Sequence, residues 1–255
     1  MPLELVTVPC LTDNYAYLIH DAETSQTAVV DVPEVGPILA ALDAHQWRLT
    51  DILITHHHSD HIQGVDGLRA ATGAKVLGAA ADAHRLPKLD LALTEASGFA
   101  IGQEPARVID VPGHTLGHIA FHFPQSRLAF TADSLMSGGC GRLFEGSAQQ
   151  MHDSLQKLAA LPPETLICSG HEYTATNLRF AATLEPDNPA LISRIAEVAD
   201  HRARGAPTVP VTLAKELATN PYLRAHLPAL KAAVGLPDAD TATVFAEIRA
   251  RKDKF

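Results

Sequence analysis

The sequence predicts an α/β domain followed by a smaller all-helical segment. Three observations predict it. Over the first two-thirds, short aliphatic and aromatic runs alternate with helix-period segments. Polar, ligand-type residues follow several of these runs directly. After about Tyr173 the strand signals stop, and helical stretches punctuated by Pro186, Asn188, Gly205, Pro207 and Pro221 take over.

The elements read in order as follows. Leu3–Val8, Tyr15–Ile19 and Thr27–Val32 are strand-like, separated by turn formers such as Asp13-Asn14 and Asp21. Pro37 opens a helix with Ile38, Leu39 and Leu42 on one side. Asp51–Thr55 is a buried-type strand that runs into a histidine-dense loop. Val65–Ala71 reads as a helix and Lys75–Gly78 as a strand. Arg107–Val111, His118–Phe123 and Leu128–Thr131 are further strands. Ser147 followed by Gln150 signals a capping box, ahead of Met151, Leu155 and Leu158 at helical spacing. Leu166–Cys168 is the last strand of the domain. Helices are then expected over Thr174–Leu184, Pro189–Arg204, Thr212–Ala218 and Thr241–Arg251.

Composition narrows the function classes. The 255 residues carry 20 Lys+Arg against 29 Asp+Glu, a net charge of −9, which argues against general nucleic-acid binding. There are 14 His but only 3 Cys, at 10, 140 and 168, with no CxxC, so neither a disulfide framework nor a Cys-type zinc finger is expected. The N-terminus lacks a basic region and a continuous apolar run, and no stretch approaches the roughly 18 apolar residues of a membrane span. A cytoplasmic protein with reduced thiols is the expectation.

The informative stretch is Thr55-His56-His57-His58-Ser59-Asp60-His61. In an extended segment, alternate side chains face the same way, so His56 and His58 converge, Asp60 continues the spacing and His61 follows once the chain turns. Imidazole and carboxylate suit zinc and other borderline divalent metals, and the lack of thiolate suits a catalytic site with a position kept for water. His57 points the opposite way. His114, Asp133 and His171 each follow a strand-like run, giving seven candidate ligands in all, enough for two ions. Asp31 is a candidate to orient a ligand, and His118 to lie near the site. Cys140, in a Gly-rich loop with no base placed by motif, is not read as a nucleophile.

These motifs resemble the metallo-β-lactamase superfamily and, within it, the glyoxalase II (hydroxyacylglutathione hydrolase) family. The resemblance spans the chain. It rests on Thr12–Tyr15, Thr55–His61, Gly113-His114-Thr115, Phe130–Asp133, Gly138–Arg142, Gly170–Thr174 and Arg249…Lys252. It implies a four-layer αββα sandwich over 1–172, carrying a dinuclear metal site, and a helical glutathione-binding domain over 173–255. It assigns His56, His58 and His114 to one metal, Asp60, His61 and His171 to the other, and Asp133 to both. Two divalent ions are implied, zinc first, with iron and manganese as alternatives. The activity implied is hydrolysis of S-D-lactoylglutathione and related 2-hydroxyacyl thioesters by a metal-bound hydroxide, which Asp60 would also orient.

Arg142, Tyr173, Arg249 and Lys252 match substrate-contacting positions. Arg142 stands where many members of the family carry Lys, which keeps the charge but makes a point donor a fork, and Phe144 where some carry Tyr, so one hydroxyl contact is not expected. The expected partner is a small-molecule glutathione thioester, with no nucleic acid or membrane, and the chain is read as a monomer. The alternatives are a lactonase or other hydrolase of the same fold, a single-iron persulfide dioxygenase, and a non-catalytic metal-binding module.

Overall fold

The structure, a computed structural model, describes residues 1–255. They divide into two compact units: Met1–Asp110 with Gly117–Ala132, and Val111–Leu116 with Asp133–Phe255.

The first unit is built on two sheets. One comprises β1 (Glu4–Cys10), β2 (Asn14–Asp21), β3 (Gln26–Val30), β4 (Asp51–Leu53), β5 (Lys75–Ala79) and β6 (Leu91–Leu93), in that order. β1, β2 and β3 pair antiparallel, whereas β3 to β6 pair in parallel. The parallel connections carry α1 (Val35–His45) and, after the four-residue α2 (Ser59–Ile62), α3 (Val65–Thr72). The other sheet places β7 (Phe99–Ile101), β8 (Glu104–Asp110), β9 (Ile119–Phe123) and β10 (Leu128–Ala132) as an antiparallel meander.

β2 is buried on both faces, and its alternation decides which layer each side chain serves. Ala16 and Leu18 join Val29, Ile52, Ile54 and Val76 beneath Ile38 and Leu42 of α1 and Val65 and Leu68 of α3. Tyr17, on the opposite face, meets Phe130 of β10 with ring centroids 5.6 Å apart, which closes the two sheets on each other.

The second unit is mainly helical. After the two-residue strands β11 (Leu135–Met136) and β12 (Gly139–Cys140) come α4 (Ala148–Ala159) and β13 (Leu166–Ser169). α5 (Thr174–Leu184), α6 (Pro189–Ala203), β14 (Val211–Thr212), α7 (Leu213–Thr219), α8 (Pro228–Ala233) and α9 (Thr241–Lys252) follow. The expected Ser147 capping box opens α4, with Ser147 Oγ accepting from Gln150 N at 3.2 Å and Gln150 Oε1 accepting from Ser147 N at 2.9 Å. Leu178 and Ala181 of α5 pack on Leu191 and Val198 of α6. Phe245 of α9 meets Tyr222 at 5.2 Å.

The segment expected to be wholly helical contains one strand, β14, paired antiparallel with β13. Two residues beside Pro210 are too short to show a period, and only a partner edge reveals them. Three-residue β6 and β7 escape the sequence for the same reason. No helix is long and apolar enough to cross a membrane.

Candidate metal centre

The HxHxDH run leaves β4 through Ile54 and Thr55, and Ile54 N still donates to Leu77 O of β5 at 2.8 Å. His58 is extended and begins α2, so the chain turns directly after it and brings His61 back toward His56. The His56 and His61 rings lie 4.2 Å apart, and His56 Nε2 is 3.2 Å from His58 Nδ1. The ligand atoms of Asp31, His56 and His61 all fall within 4.8 Å of one another.

Asp31 organises this cluster. It sits just beyond β3 with φ 59°, a conformation Asp tolerates better than most residues. Its Oδ1 accepts Thr55 N at 2.9 Å, and its Oδ2 accepts both the Thr55 hydroxyl and His61 Nδ1–H at 2.8 Å. With its proton given to Asp31, the Thr55 Oγ1 accepts His56 Nδ1–H at 3.0 Å. One carboxylate thereby fixes both tautomers and turns both Nε2 atoms outward as donors. Asp31 thus reaches His61 directly and His56 through Thr55.

Asp60 is held from β2. Asn14 Nδ2 donates to Asp60 Oδ2 at 3.0 Å and to Asp60 O at 3.1 Å. His57 does turn away from the pair, toward Asp82, with Nδ1 to Oδ2 3.3 Å, while Arg85 closes on the same carboxylate. Gly117 is required there, because a Cβ would overlap the Asp82 carboxylate. His118 stacks on His56 at 4.6 Å.

In the second unit, Asp133 Oδ2 lies 3.4 Å from His114 Nε2 and 3.4 Å from His171 Nε2. His114 Nδ1–H donates to Arg142 O at 2.7 Å, which turns its Nε2 to Asp133. Two glycines permit this approach. Gly113, at φ +152°, lies where a Cβ would overlap Met151 of α4. At Gly141 a Cβ would overlap the Asp133 carbonyl. Each histidine of known tautomer thus has one nitrogen anchored and the other aimed at a ligand-type atom, and no thiolate is present. That donor set fits a borderline divalent ion.

The candidate substrate contacts also lie in this unit. Tyr173 is 40% exposed and stacks on His171 at 4.7 Å. Phe144 is exposed and meets His114 edge-on at 5.3 Å. The Arg142 side chain is 62% exposed, with Nε 3.7 Å from Asp253 Oδ1. Arg249 is buried: its guanidinium donates to Cys140 O at 3.1 Å and Asp253 Oδ1 at 2.8 Å, and stacks over Tyr222. Lys252 Nζ lies 5.4 Å from the Phe180 ring and 5.0 Å from the Phe255 ring. Partial burial, with Arg249 and Arg179 adding like charge, brings its amine down to about 8. Burial pushes the Cys140 thiol up to about 11, which agrees with its reading as an inert cysteine.

Sequence reasoning gave no task to Asn14, Thr55, Asp82 and Asp253. The Thr12–Tyr15 and Thr55–His61 markers contain Asn14 and Thr55. Asp82 and Asp253 carry no signal until distant segments are brought together.

The fold and these His/Asp clusters define a class. Residues 13–171 match the model of the metallo-beta-lactamase superfamily, and the chain belongs to that superfamily. Residues 172–255 match the hydroxyacylglutathione hydrolase C-terminus. A hydroxyacylglutathione hydrolase of Cereibacter sphaeroides is 68% identical over 100% of both chains. The chain is a member of the hydroxyacylglutathione hydrolase family. Among solved structures, BLEG-1 B3 metallo-beta-lactamase shares the fold, with TM-score 0.67 at 20% identity, covering 86% of this chain and 99% of its own. TTHA1623, crystallised in a di-iron-bound form, aligns with TM-score 0.56 at 29% identity over 66% of this chain and 91% of its own.

Proposed function

We propose that this enzyme hydrolyses S-(2-hydroxyacyl)glutathione thioesters, converting S-D-lactoylglutathione to glutathione and D-lactate in methylglyoxal detoxification. One observation carries the reading. The chain joins His/Asp clusters suited to divalent ions with a C-terminal segment, 172–255, of the hydroxyacylglutathione hydrolase type.

The proposal assigns His56, His58 and His114 to one ion, Asp60, His61 and His171 to a second, and Asp133 to both. The di-iron form of TTHA1623 supports two ions rather than one. Zinc is the first choice, and iron and manganese accept the same donors. Bound there, the ions supply Lewis acidity and lower the pKa of water toward neutrality.

The protein's own groups do the rest. Asp60, held by Asn14, orients the attacking water through its carboxylate. Water oxygen adds to the thioester carbonyl as its proton passes to solvent, the C–S bond breaks, and the thiolate leaves without a strong general acid. The substrate is anionic and the protein carries −9, so recognition falls to a local patch. Arg142, Tyr173 and Lys252 face the glutathione moiety in this reading. Arg249, engaged by Cys140 and Asp253, adds positive charge beneath the same surface. The proposal includes a division of labour at residue 172, a monomer and a cytoplasmic location.

Thiol release from S-D-lactoylglutathione tests the reading. Activity is expected to vanish in His58→Ala and to fall mainly through KM in Lys252→Ala. Oxygen consumption with glutathione persulfide, without thiol release from the thioester, would point to a dioxygenase instead.

A further inference from the structure

We infer that Asp253 is a positioning residue that pre-orders the Arg142 guanidinium for the carboxylate side of the thiol carrier. The inference rests on the proposed substrate class.

Three observations carry it. First, Asp253 stands at the C-cap of α9, at the negative end of the helix dipole. An acidic side chain there has the unfavourable sign. Its carboxylate is turned to two cations instead, 2.8 Å from Arg249 NH2 and 3.7 Å from Arg142 Nε. Second, those cations come from different places. Arg249 is buried one turn earlier on α9 and locked to Cys140 O at 3.1 Å, so it fixes Asp253 rigidly. Arg142 ends the β12 loop, two residues beyond Cys140, with a 62% exposed side chain that has no comparable burial. Third, Arg142 is a fork. An ion-pair contact at Nε, 3.7 Å from Asp253, uses one edge of the fork and leaves its terminal NH groups to take a carboxylate in bidentate fashion. A lysine at 142 could not serve an internal anchor and a ligand at once in this way.

A long exposed side chain loses rotamer freedom on binding, and ordering it beforehand removes that cost. Asp253 also offsets the charge of Arg142 and Arg249 in the empty site without occupying the fork's outer edge.

The test is a double-mutant cycle of Asp253→Asn and Arg142→Met, read with S-D-lactoylglutathione and with S-D-lactoyl-N-acetylcysteamine, which lacks both glutathione carboxylates. Asp253→Asn keeps an oxygen acceptor for Arg249, so the fold is preserved. On the glutathione thioester it raises KM about threefold to tenfold with kcat held, as loss of one pre-ordered side chain requires. Asp253→Glu recovers most of that loss. In the Arg142→Met background, Asp253→Asn adds nothing, and the cysteamine thioester is insensitive throughout. An equal KM increase in both backgrounds, or on both thioesters, overturns the inference. A readout independent of turnover is the order parameter of Arg142 Nε–H by NMR. It falls in Asp253→Asn if Asp253 positions the fork, and no change overturns the inference even if the proposed substrate is wrong. Wild-type failure on S-D-lactoylglutathione rejects the substrate reading alone.

Discussion

The Asp31 carboxylate accepts the Nδ1–H of His61 at 2.8 Å and, through the Thr55 hydroxyl, sets the tautomer of His56 as well. Two histidines of the cluster are therefore oriented by one carboxylate. An Asn at 31 tolerates the same φ of 59° but presents only one oxygen. Asp31→Asn is expected to weaken metal affinity about 10–100-fold while leaving the fold intact. Competition with a chelator of known affinity measures it. Full affinity in the variant would remove Asp31 from the account.

Lys252 gives a pH signature of defined sign. Its folded-state amine sits at about 8, below the ordinary 10.5, because burial and then Arg249 and Arg179 disfavour the charge. As a cation it attracts the substrate carboxylate, so kcat/KM should be level below pH 8 and fall as pH rises through that value. Stability moves the other way. Below pH 8 folded and unfolded states both carry the proton, and the folded state bears the cost of burying it. Between about 8 and 10.5 the folded state releases its proton first, so that cost is relieved as pH rises. Lys252→Met should abolish both trends. A kcat/KM profile unchanged above pH 8 in the variant contradicts the assignment.

Glu216 is buried against Arg194, and its Oε2 accepts Gly138 N at 2.9 Å and Asn220 Nδ2 at 2.8 Å. Arg194 also donates to Ser137 Oγ at 2.9 Å, so this pair anchors the loop that leads from Asp133 to Arg142. Glu216→Ala leaves a buried guanidinium without its partner. It is expected to cost about 3–5 kcal/mol, read as a lowered urea midpoint at unchanged slope.

Much of this was readable in the residues. Helix α5 runs over Thr174–Leu184 as expected, and the Ser147–Gln150 box opens α4, because both signals are local. The clustering of the HxHxDH histidines was legible for the same reason: the strand end and the two-residue spacing lie within seven residues. What was not readable depends on chain closure. Asn14 reaches Asp60 across 46 residues, and Arg249 reaches the Cys140 carbonyl across 109. The resemblance marks Arg249 as a substrate contact, and only packing against Tyr222 and Cys140 shows that it is buried. Asp253 meets Arg249 one helical turn back and Arg142 across 111 residues, and the second contact carries no local signal.

The central claim is that these His/Asp clusters serve thioester hydrolysis. The most direct measurement is metal content and thiol release from S-D-lactoylglutathione on one preparation, wild type beside His58→Ala. The wild-type chain is expected to hold about two ions and release thiol rapidly, and His58→Ala to lose both metal and release. A fully metallated wild-type protein releasing thiol no faster than His58→Ala would contradict it.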